Sequence, residues 1–227
     1  MAVILLDRLG SYAGLPHVCG EPCFCRVPPC MPHPLAAFVA DFADQAVILP
    51  LIACVAIVLW VSGWRRGALV WCFGTAATLG MMAFLKLAFR ACGPELFGSG
   101  MESPSGHTAA AGAVYGSIFA FANSRLGGRN TSQLLIVAAT VVLIGASRVL
   151  LGAHTLPEVC LGAAVGFTAA RAMLYFAGEP RTHRSVRLLS LSLPLLVLPL
   201  SLHGIHLPAE SEIAGLAVHV WPFSLCR

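Results

Sequence analysis

Residues 101–116 read MESPSGHTAAAGAVYG, in which a polar Ser-Gly-His triplet stands directly before a run of small apolar residues. Serine is a favoured helix N-cap, and the run of small apolar residues after it is counted among the apolar runs that could span a membrane. The stretch therefore predicts a membrane helix with His107 at its mouth. Ionisable side chains in such a position are costly and indicate function.

The composition of the chain predicts an integral membrane protein. Of its 227 residues, 58% are hydrophobic and 11% charged, and the mean hydropathy is +0.83, far from the averages of soluble domains. A span of the hydrocarbon core needs roughly 20 apolar residues. We predict an all-α polytopic bundle of five to six transmembrane helices, with spans at residues 46–64, 67–89, 108–122, 134–151 and 157–176 and a weaker sixth at 188–202.

The distribution of arginine predicts the orientation, because short cytoplasmic loops carry an excess of Lys and Arg. The connections 90–107 and 152–157 lack that excess and are placed at the outer face, together with both tails. The net charge of +4 is thus a topology signal and gives no case for nucleic acid, which requires a basic surface on a soluble face. The arginines of the predicted inner loops are Arg65, Arg66, Arg125, Arg129, Arg181, Arg184 and Arg187.

Two tails flank the membrane domain, which we assign to residues 42–204. The N-terminal tail, 1–41, starts without a convincing cleavable signal peptide and is rich in cysteine and proline. Its spacing departs from the paired C-x-x-C pattern of zinc sites, so two disulfides or a disordered tail are the favoured interpretations. The C-terminal tail is assigned to residues 205–227. His203, His206 and His219 form no spaced set and are interpreted as tail residues. The N-terminal set comprises His17, Cys19, Cys23, Cys25, Cys30 and His33.

Polar residues collect at the predicted outer ends of the spans. The alternating topology brings three groups to one membrane face although they are distant in sequence. These groups are Lys86 with Arg90, then Ser105, Gly106 and His107, and finally Arg148, His154 and Glu158.

The chemistry of these residues favours phosphate. Backbone N-H groups at a helix start form an anion site, where Gly106 permits close approach. Lys86 and Arg148 add positive charge and donors suited to phosphoryl oxygens. Of the two histidines, one can attack phosphorus while the other protonates the departing alkoxide. Without an acidic cluster for magnesium or a metal pair, the predicted reaction is a phosphoryl transfer that uses no metal or other cofactor.

Three motifs resemble the signature of the type 2 phosphatidic acid phosphatase superfamily: KLAFRACGP from Lys86, PSGH from Pro104 and SRVLLGAH from Ser147. The similarity runs from Lys86 to the EVCLGAAVG that begins at Glu158. It implies a membrane helical bundle whose outer-face pocket dephosphorylates lipid phosphates or diphosphates through a phosphohistidine. By position, His154 would be the nucleophile and His107 the acid. Lys86, Ser105, Gly106 and Arg148 would hold the phosphoryl oxygens.

The chain departs from that signature at two positions. Glu158 stands where the family has aspartate, and Gly93 stands where it has arginine before proline. A glutamate can fix the histidine tautomer equally, and Arg90, one helical turn beyond Lys86, could supply the missing cation.

Each of these residues also has a purely structural interpretation. Glu158 could belong only to a capping box, and Ser105 could be only an N-cap. Lys86 and Arg90 could extend to the membrane interface as ordinary cations near helix ends do.

Three functions remain open at this point. The leading one is a lipid phosphatase of the bacterial cytoplasmic membrane, acting at the outer leaflet on an isoprenoid diphosphate, a phosphatidate-like lipid or a lipid-linked sugar phosphate. The second is a non-catalytic lipid-binding or transport relative, which Gly93 favours. The third is a vanadate-dependent oxidase resembling the related haloperoxidases, against which the hydrophobicity of the chain counts.

Overall fold

The computed structural model describes residues 34–97, 103–125, 128–178 and 197–207, and these residues form helices and turns without strands. The cysteine-rich tail and most of the weak sixth segment lie outside these ranges. The all-α prediction is confirmed for the described part of the chain. Its elements are α1 (Pro34–Asp41), α2 (Gln45–Val61), α3 (Arg65–Phe97), α4 (Gly106–Ala111), a π-helical turn (Gly112–Gly116), α5 (Ser117–Arg125), α6 (Asn130–Leu150), α7 (Leu156–Ala177) and α8 (residues 197–202).

Four helical stretches are long and apolar enough to cross a membrane: Pro34–Val61, Arg65–Arg90, Asn130–Leu150 and Leu156–Ala177. They correspond to the first, second, fourth and fifth predicted spans. Large apolar side chains on their outward faces are exposed, among them Phe73 and Tyr175. A water-soluble bundle would bury such residues, so the four helices indicate an integral membrane protein.

The segment predicted as the third span, 108–122, lies at the centre of the bundle. It falls within α4, the π-helical turn and α5, and it packs against α3, α6 and α7. Residues 108–118 are all buried. Within the turn, the Ser117 hydroxyl donates to the carbonyl oxygens of Ala113 and Val114. The segment is therefore surrounded by helices, and its α-helical hydrogen bonding is interrupted at the π-helical turn.

Glycines on α7 let the central segment approach closely. Gly162 and Gly166 are one helical turn apart, and a Cβ on Gly162 would overlap the carbonyl oxygen of Ser105. A Cβ on Gly166 would lie 3.0 Å from the Cα of Ala109. Small residues at this spacing allow two backbones to meet in a membrane bundle. The contact sets Ser105 against the first turns of α7.

Hydrogen bonds join the remaining helices. Trp71 Nε1 of α3 donates to the carbonyl oxygen of Ile52 in α2 at 3.0 Å. At the end of the bundle where α3 begins, Arg66 Nε donates to the carbonyl oxygen of Phe176 at 2.9 Å. The other end, where α2, α4 and α7 begin, is called the site end below.

Candidate active site

Glu158 joins two parts of the site end through its carboxylate. It lies in the first turn of α7, where Thr155 is the N-cap and Glu158 completes a capping box. Its Oε2 accepts a hydrogen bond from the backbone N-H of Thr155 at 2.9 Å, and its residue is 4% exposed. Since capping satisfies N-H groups that a helix start leaves unpaired, this bond accounts for a carboxylate buried there.

The same oxygen lies 3.0 Å from Nδ1 of His154. A carboxylate can only accept, so the hydrogen of this bond is on Nδ1 and the neutral ring carries its lone pair on Nε2. The His154 side chain is only 6% exposed. Its Nε2 is buried and has no hydrogen-bond partner within the described ranges. The arrangement leaves the lone pair of a buried ring nitrogen in an orientation fixed by a carboxylate.

The Pro-Ser-Gly-His segment is fastened to the same turn of α7. Ser103 donates its backbone N-H to Oε1 of Glu158 at 2.9 Å, and Ser105 donates its N-H to the Glu158 carbonyl oxygen at 3.0 Å. Ser105 is fully buried as the N-cap of α4, and its Oγ lies 2.9 Å from Oγ1 of Thr108. The hydroxyl of Ser105 therefore caps α4, as the structural interpretation of this residue predicts. The backbone bonds of Ser103 and Ser105 hold the start of α4, which contains His107, against α7.

Lys86 reaches the start of α4 from α3. It is 7% exposed, and its Nζ lies 3.6 Å from the position that a Cβ on Gly106 would occupy. The buried ammonium group thus lies beside the helix start, at a distance that would be an ordinary contact for a Cβ on Gly106. Both residues line a cavity of about 250 Å³ with Ala43, Asp44, Gln45, Leu49, Leu79, Met82, Ala83, His107, Ala110 and Leu207.

The two proposed arginines lie in different surroundings. Arg148 is half-buried in the last turn of α6, and its carbonyl oxygen accepts from Ala153 at 3.1 Å. This bond shapes the turn that leads to His154, where Gly152 has a φ of 65°, a backbone conformation that favours glycine. Arg90 is exposed, one helical turn beyond Lys86, and does not line the cavity.

Sequence reasoning missed a group of four side chains at the site end. His206 Nδ1 lies 3.2 Å from Oδ2 of Asp44, and His203 Nδ1 lies 3.9 Å from Oδ2 of Asp41. These contacts correct the interpretation of both histidines as tail residues, because their side chains bind the first helices of the bundle. The sequence offered one local signal for this group, which is an aspartate at position 44 in the place of a helix N-cap. The contact with His206 left no local signal, because the two residues are 162 positions apart.

The structure thus sorts six of the eight predicted site residues into two sets, while Arg148 lies in the last turn of α6 and Arg90 is exposed on α3. Lys86, Gly106 and His107 surround the cavity, whereas Ser105, His154 and Glu158 meet at the start of α7. Within the described ranges, no group of three His, Cys, Asp or Glu side chains has a geometry that could hold a metal ion.

Comparison with known families gives a match that covers this part of the chain. The model of the PAP2 superfamily matches residues 67–181, just over half of the chain, and that range contains every predicted site residue. The chain belongs to the PAP2 superfamily. The resemblance to the type 2 phosphatidic acid phosphatases is thereby confirmed. No curated protein and no solved structure matches this PAP2 protein significantly. Because members of the superfamily are phosphatases, membership supports a phosphoester hydrolase in general.

Proposed function

We propose that this protein hydrolyses a lipid phosphate or diphosphate through a phosphohistidine on His154, without a metal. The observation that carries the proposal is the state of the His154 ring. Nδ1 is 3.0 Å from the Glu158 carboxylate, and Nε2 is buried without a hydrogen-bond partner in the described part of the chain. Buried polar atoms are normally satisfied, so an exception at a motif histidine points to a reacting atom.

In the first step, Nε2 of His154 attacks phosphorus and forms an N-P bond while the bond from phosphorus to the lipid oxygen breaks. His107, protonated, donates its proton to that oxygen, so the lipid leaves as an alcohol, or as a lipid phosphate when the substrate is a diphosphate. Glu158 stabilises the positive charge that develops on the attacking ring.

In the second step, water attacks the phosphohistidine. His107, now neutral, accepts a proton from that water, the N-P bond breaks and inorganic phosphate leaves. The three equatorial oxygens carry spread charge in such transfers, so positioned cations and N-H groups supply most of the catalysis. Lys86 and Arg148 are proposed to supply the charge, and the backbone N-H groups at the start of α4 to supply the donors. Arg90 is proposed as a further cation.

The proposal places the site at the outer face of a bacterial cytoplasmic membrane. Arg65 and Arg66 begin α3 at the end of the bundle opposite the site end, and Arg129 precedes α6 at that same end. Since arginine is enriched on the cytoplasmic side, this distribution supports a substrate in the outer leaflet. The substrates are proposed to be isoprenoid diphosphates, phosphatidate-like lipids or lipid-linked sugar phosphates.

The test is phosphate release by the purified protein in detergent or nanodiscs, with phosphatidate and an isoprenoid diphosphate as substrates. We expect the parent to release phosphate, to remain active in EDTA and to be inhibited by vanadate, which mimics pentacoordinate phosphorus. His154→Ala is expected to abolish turnover without loss of expression or membrane insertion, because the residue lies in a turn between helices.

Ala153→Ser is the matched control, since this exposed neighbour belongs to the same turn and its bond to the Arg148 carbonyl oxygen uses its backbone N-H, which the substitution keeps. It should retain the parent activity. Turnover by His154→Ala above about a tenth of the parent rate would overturn the phosphohistidine, and loss of activity in EDTA that magnesium restores would overturn the metal-free mechanism. A parent that binds both lipids and releases no phosphate would favour a non-catalytic lipid-binding relative.

A further inference from the structure

Asp44 connects the start of the bundle to its C-terminal segment, residues 203–207. As the N-cap of α2, it accepts the backbone N-H of Ala46 through Oδ1 at 2.9 Å. The same oxygen accepts the N-H of Leu207 at 3.3 Å, and Oδ2 lies 3.2 Å from Nδ1 of His206. The carboxylate is 7% exposed as a residue and lies within reach of two donors on the C-terminal segment. Asp44 therefore holds the side chain of His206 and the backbone of Leu207 against the start of α2.

A second attachment lies one turn of chain earlier. His203 Nε2 lies 2.9 Å from the carbonyl oxygen of Phe38, and the ring packs between Phe38 and Phe42 at centroid distances of 4.4 and 5.0 Å. Its Nδ1 lies 3.9 Å from Asp41. Two histidines three residues apart thus hold the C-terminal segment on the first two helices.

That position brings Leu207 to the cavity that contains Lys86 and His107. The polar side chains of its lining are those of Asp44, Gln45, Lys86 and His107. The rest of the lining is apolar and includes Leu49, Leu79 and Leu207. Its volume of about 250 Å³ is below the ~300–1,000 Å³ of pockets that enclose a drug-sized ligand. It has room for a phosphoryl group and the first carbons of a lipid, whose remainder must extend out of it.

The chemistry of the proposed reaction decides which part of the substrate occupies this cavity. Attacking and leaving atoms lie roughly in line on opposite sides of phosphorus. His107, the proposed donor to the leaving oxygen, lines the cavity, whereas His154, the proposed nucleophile, does not. The cavity therefore lies on the leaving-group side, where the lipid is attached.

We propose that the C-terminal segment is one wall of the lipid-binding part of the site, with Leu207 as a specificity-determining residue and Asp44 and His206 as positioning residues. The inference rests on the proposed function. Leu207 selects substrates by the bulk next to the phosphate. A single-chain isoprenyl phosphate needs little width there, and the branched glycerol of a diacylglycerol phosphate needs more.

The experiment compares kcat/KM for these two lipid phosphates in detergent-purified parent and variants. Leu207→Ala should widen the cavity and shift the ratio of the two kcat/KM values toward the diacyl substrate by about tenfold. Leu207→Phe should narrow the cavity and shift the ratio the other way. A small change of volume in an apolar pocket changes discrimination between substrates by about that much or more. His206→Ala leaves the helix cap of Asp44 in place and should shift the ratio in the direction of Leu207→Ala. A general loss of folding lowers both rates and leaves their ratio unchanged.

Ile205→Ala is the matched control, because Ile205 is 45% exposed where Leu207 is 46% exposed and does not line the cavity. It should keep the parent ratio. A kcat/KM ratio within about twofold of the parent ratio in both Leu207 variants would contradict the proposal that Leu207 contacts the lipid. A shift in Ile205→Ala as large as that in Leu207→Ala would contradict it as well.

Failure of the proposed function has a different signature. A parent protein that binds both lipids without releasing phosphate would contradict the proposed hydrolase activity. The ratio of the two dissociation constants, measured in the same variants, would then test whether Leu207 selects the lipid. A parent that neither binds nor hydrolyses either lipid overturns both.

Discussion

At the scale of single residues, Glu158 combines two functions that its sequence context offers as alternatives. Its Oε2 lies 2.9 Å from the backbone nitrogen of Thr155 and 3.0 Å from Nδ1 of His154, while Oε1 accepts from Ser103. Each side-chain oxygen thus meets only donors. A side chain that carries one acceptor and one donor cannot serve this position, which explains a carboxylate there in physical terms.

We expect Glu158→Gln to lower kcat by at least about 10²-fold, because replacing the orienting carboxylate of a catalytic triad by an amide costs about 10⁴-fold. Glu158→Asp keeps the charge and should keep part of the activity. Phosphate release at saturating substrate measures both. Thr155→Ala removes the other half of the capping box and should cost about 0.5–2 kcal/mol of stability while turnover stays within about twofold. If Glu158→Gln and Thr155→Ala lost turnover equally, the role of Glu158 would be limited to capping α7.

Arg90 presents a second question at this scale, since Gly93 lacks the guanidinium that the family signature has. Losing a cation that stabilises the transition state costs about 10²-fold or more, by analogy with an oxyanion donor. We expect Arg90→Ala to reduce phosphate release by that factor, comparably to Arg148→Ala, and added Gly93→Arg to restore part of it. Arg65→Ala, an exposed arginine at the other end of α3, is the control. Activity of Arg90→Ala within about twofold of the parent would mean that Arg90 only extends to the interface.

At the scale of elements, the contact between α4 and α7 positions the site. The backbone of Ser105 occupies the space that a side chain on Gly162 would need. Ser105 also donates to the Glu158 carbonyl oxygen at 3.0 Å, one turn earlier on α7. Because the helices meet at backbone distance, any added bulk at Gly162 must move the Pro-Ser-Gly-His segment away from His154 and Glu158.

Gly162→Ala should therefore lower the free energy of unfolding by about 1–3 kcal/mol, the usual cost of overpacking, and should also reduce turnover. Thermal unfolding in detergent and phosphate release measure the two effects. Gly80→Ala is the matched control, because a Cβ at this exposed glycine of α3 meets nothing within 4 Å. It should stabilise the helix by about 0.5–1 kcal/mol and leave turnover unchanged. A fully active and equally stable Gly162→Ala protein would contradict the close contact.

At the scale of the whole molecule, the site is assembled at one end of the bundle from both halves of the chain. α2 begins and α6 ends there, and residues 203–207 return to the same end, next to Asp44. Arg66 and Phe176 meet at the opposite end. The proposed orientation places two exposed residues on opposite sides of the membrane. Ala153, at the site end, would face the outside, and Arg129, before α6, would face the cytoplasm.

In a cysteine-free background, Ala153→Cys should react with a membrane-impermeant maleimide in intact cells, whereas Arg129→Cys should react only after permeabilisation. The physical reason is the arginine enrichment on the cytoplasmic side. Mass shift or fluorescence of the labelled protein reads out both variants. Labelling of Arg129→Cys in intact cells, with protection of Ala153→Cys, would invert the orientation and place the proposed site in the cytoplasm.

Local chemistry accounts for what was predictable from the sequence. Hydropathy runs predicted residues 157–176 and 134–151 as spans, and the structure has helices Leu156–Ala177 and Asn130–Leu150. Span length, apolar composition and capping residues are set within a few helical turns. Each can therefore be recognised in the sequence without knowing which other helix it contacts. The motifs that carry His107 and His154 were legible for the same reason, and the family model confirms the resemblance.

The tertiary structure alone decided which residues meet. The sequence did not reveal that segment 108–122 lies at the centre of the bundle, because a run of small apolar residues suits a buried helix and a lipid-facing one equally. Nor did it join His206 to Asp44 across 162 residues, or set Ser103 against Glu158 across 55. Such contacts depend on how glycine faces and helix ends pack across the whole bundle, and no local pattern encodes that packing.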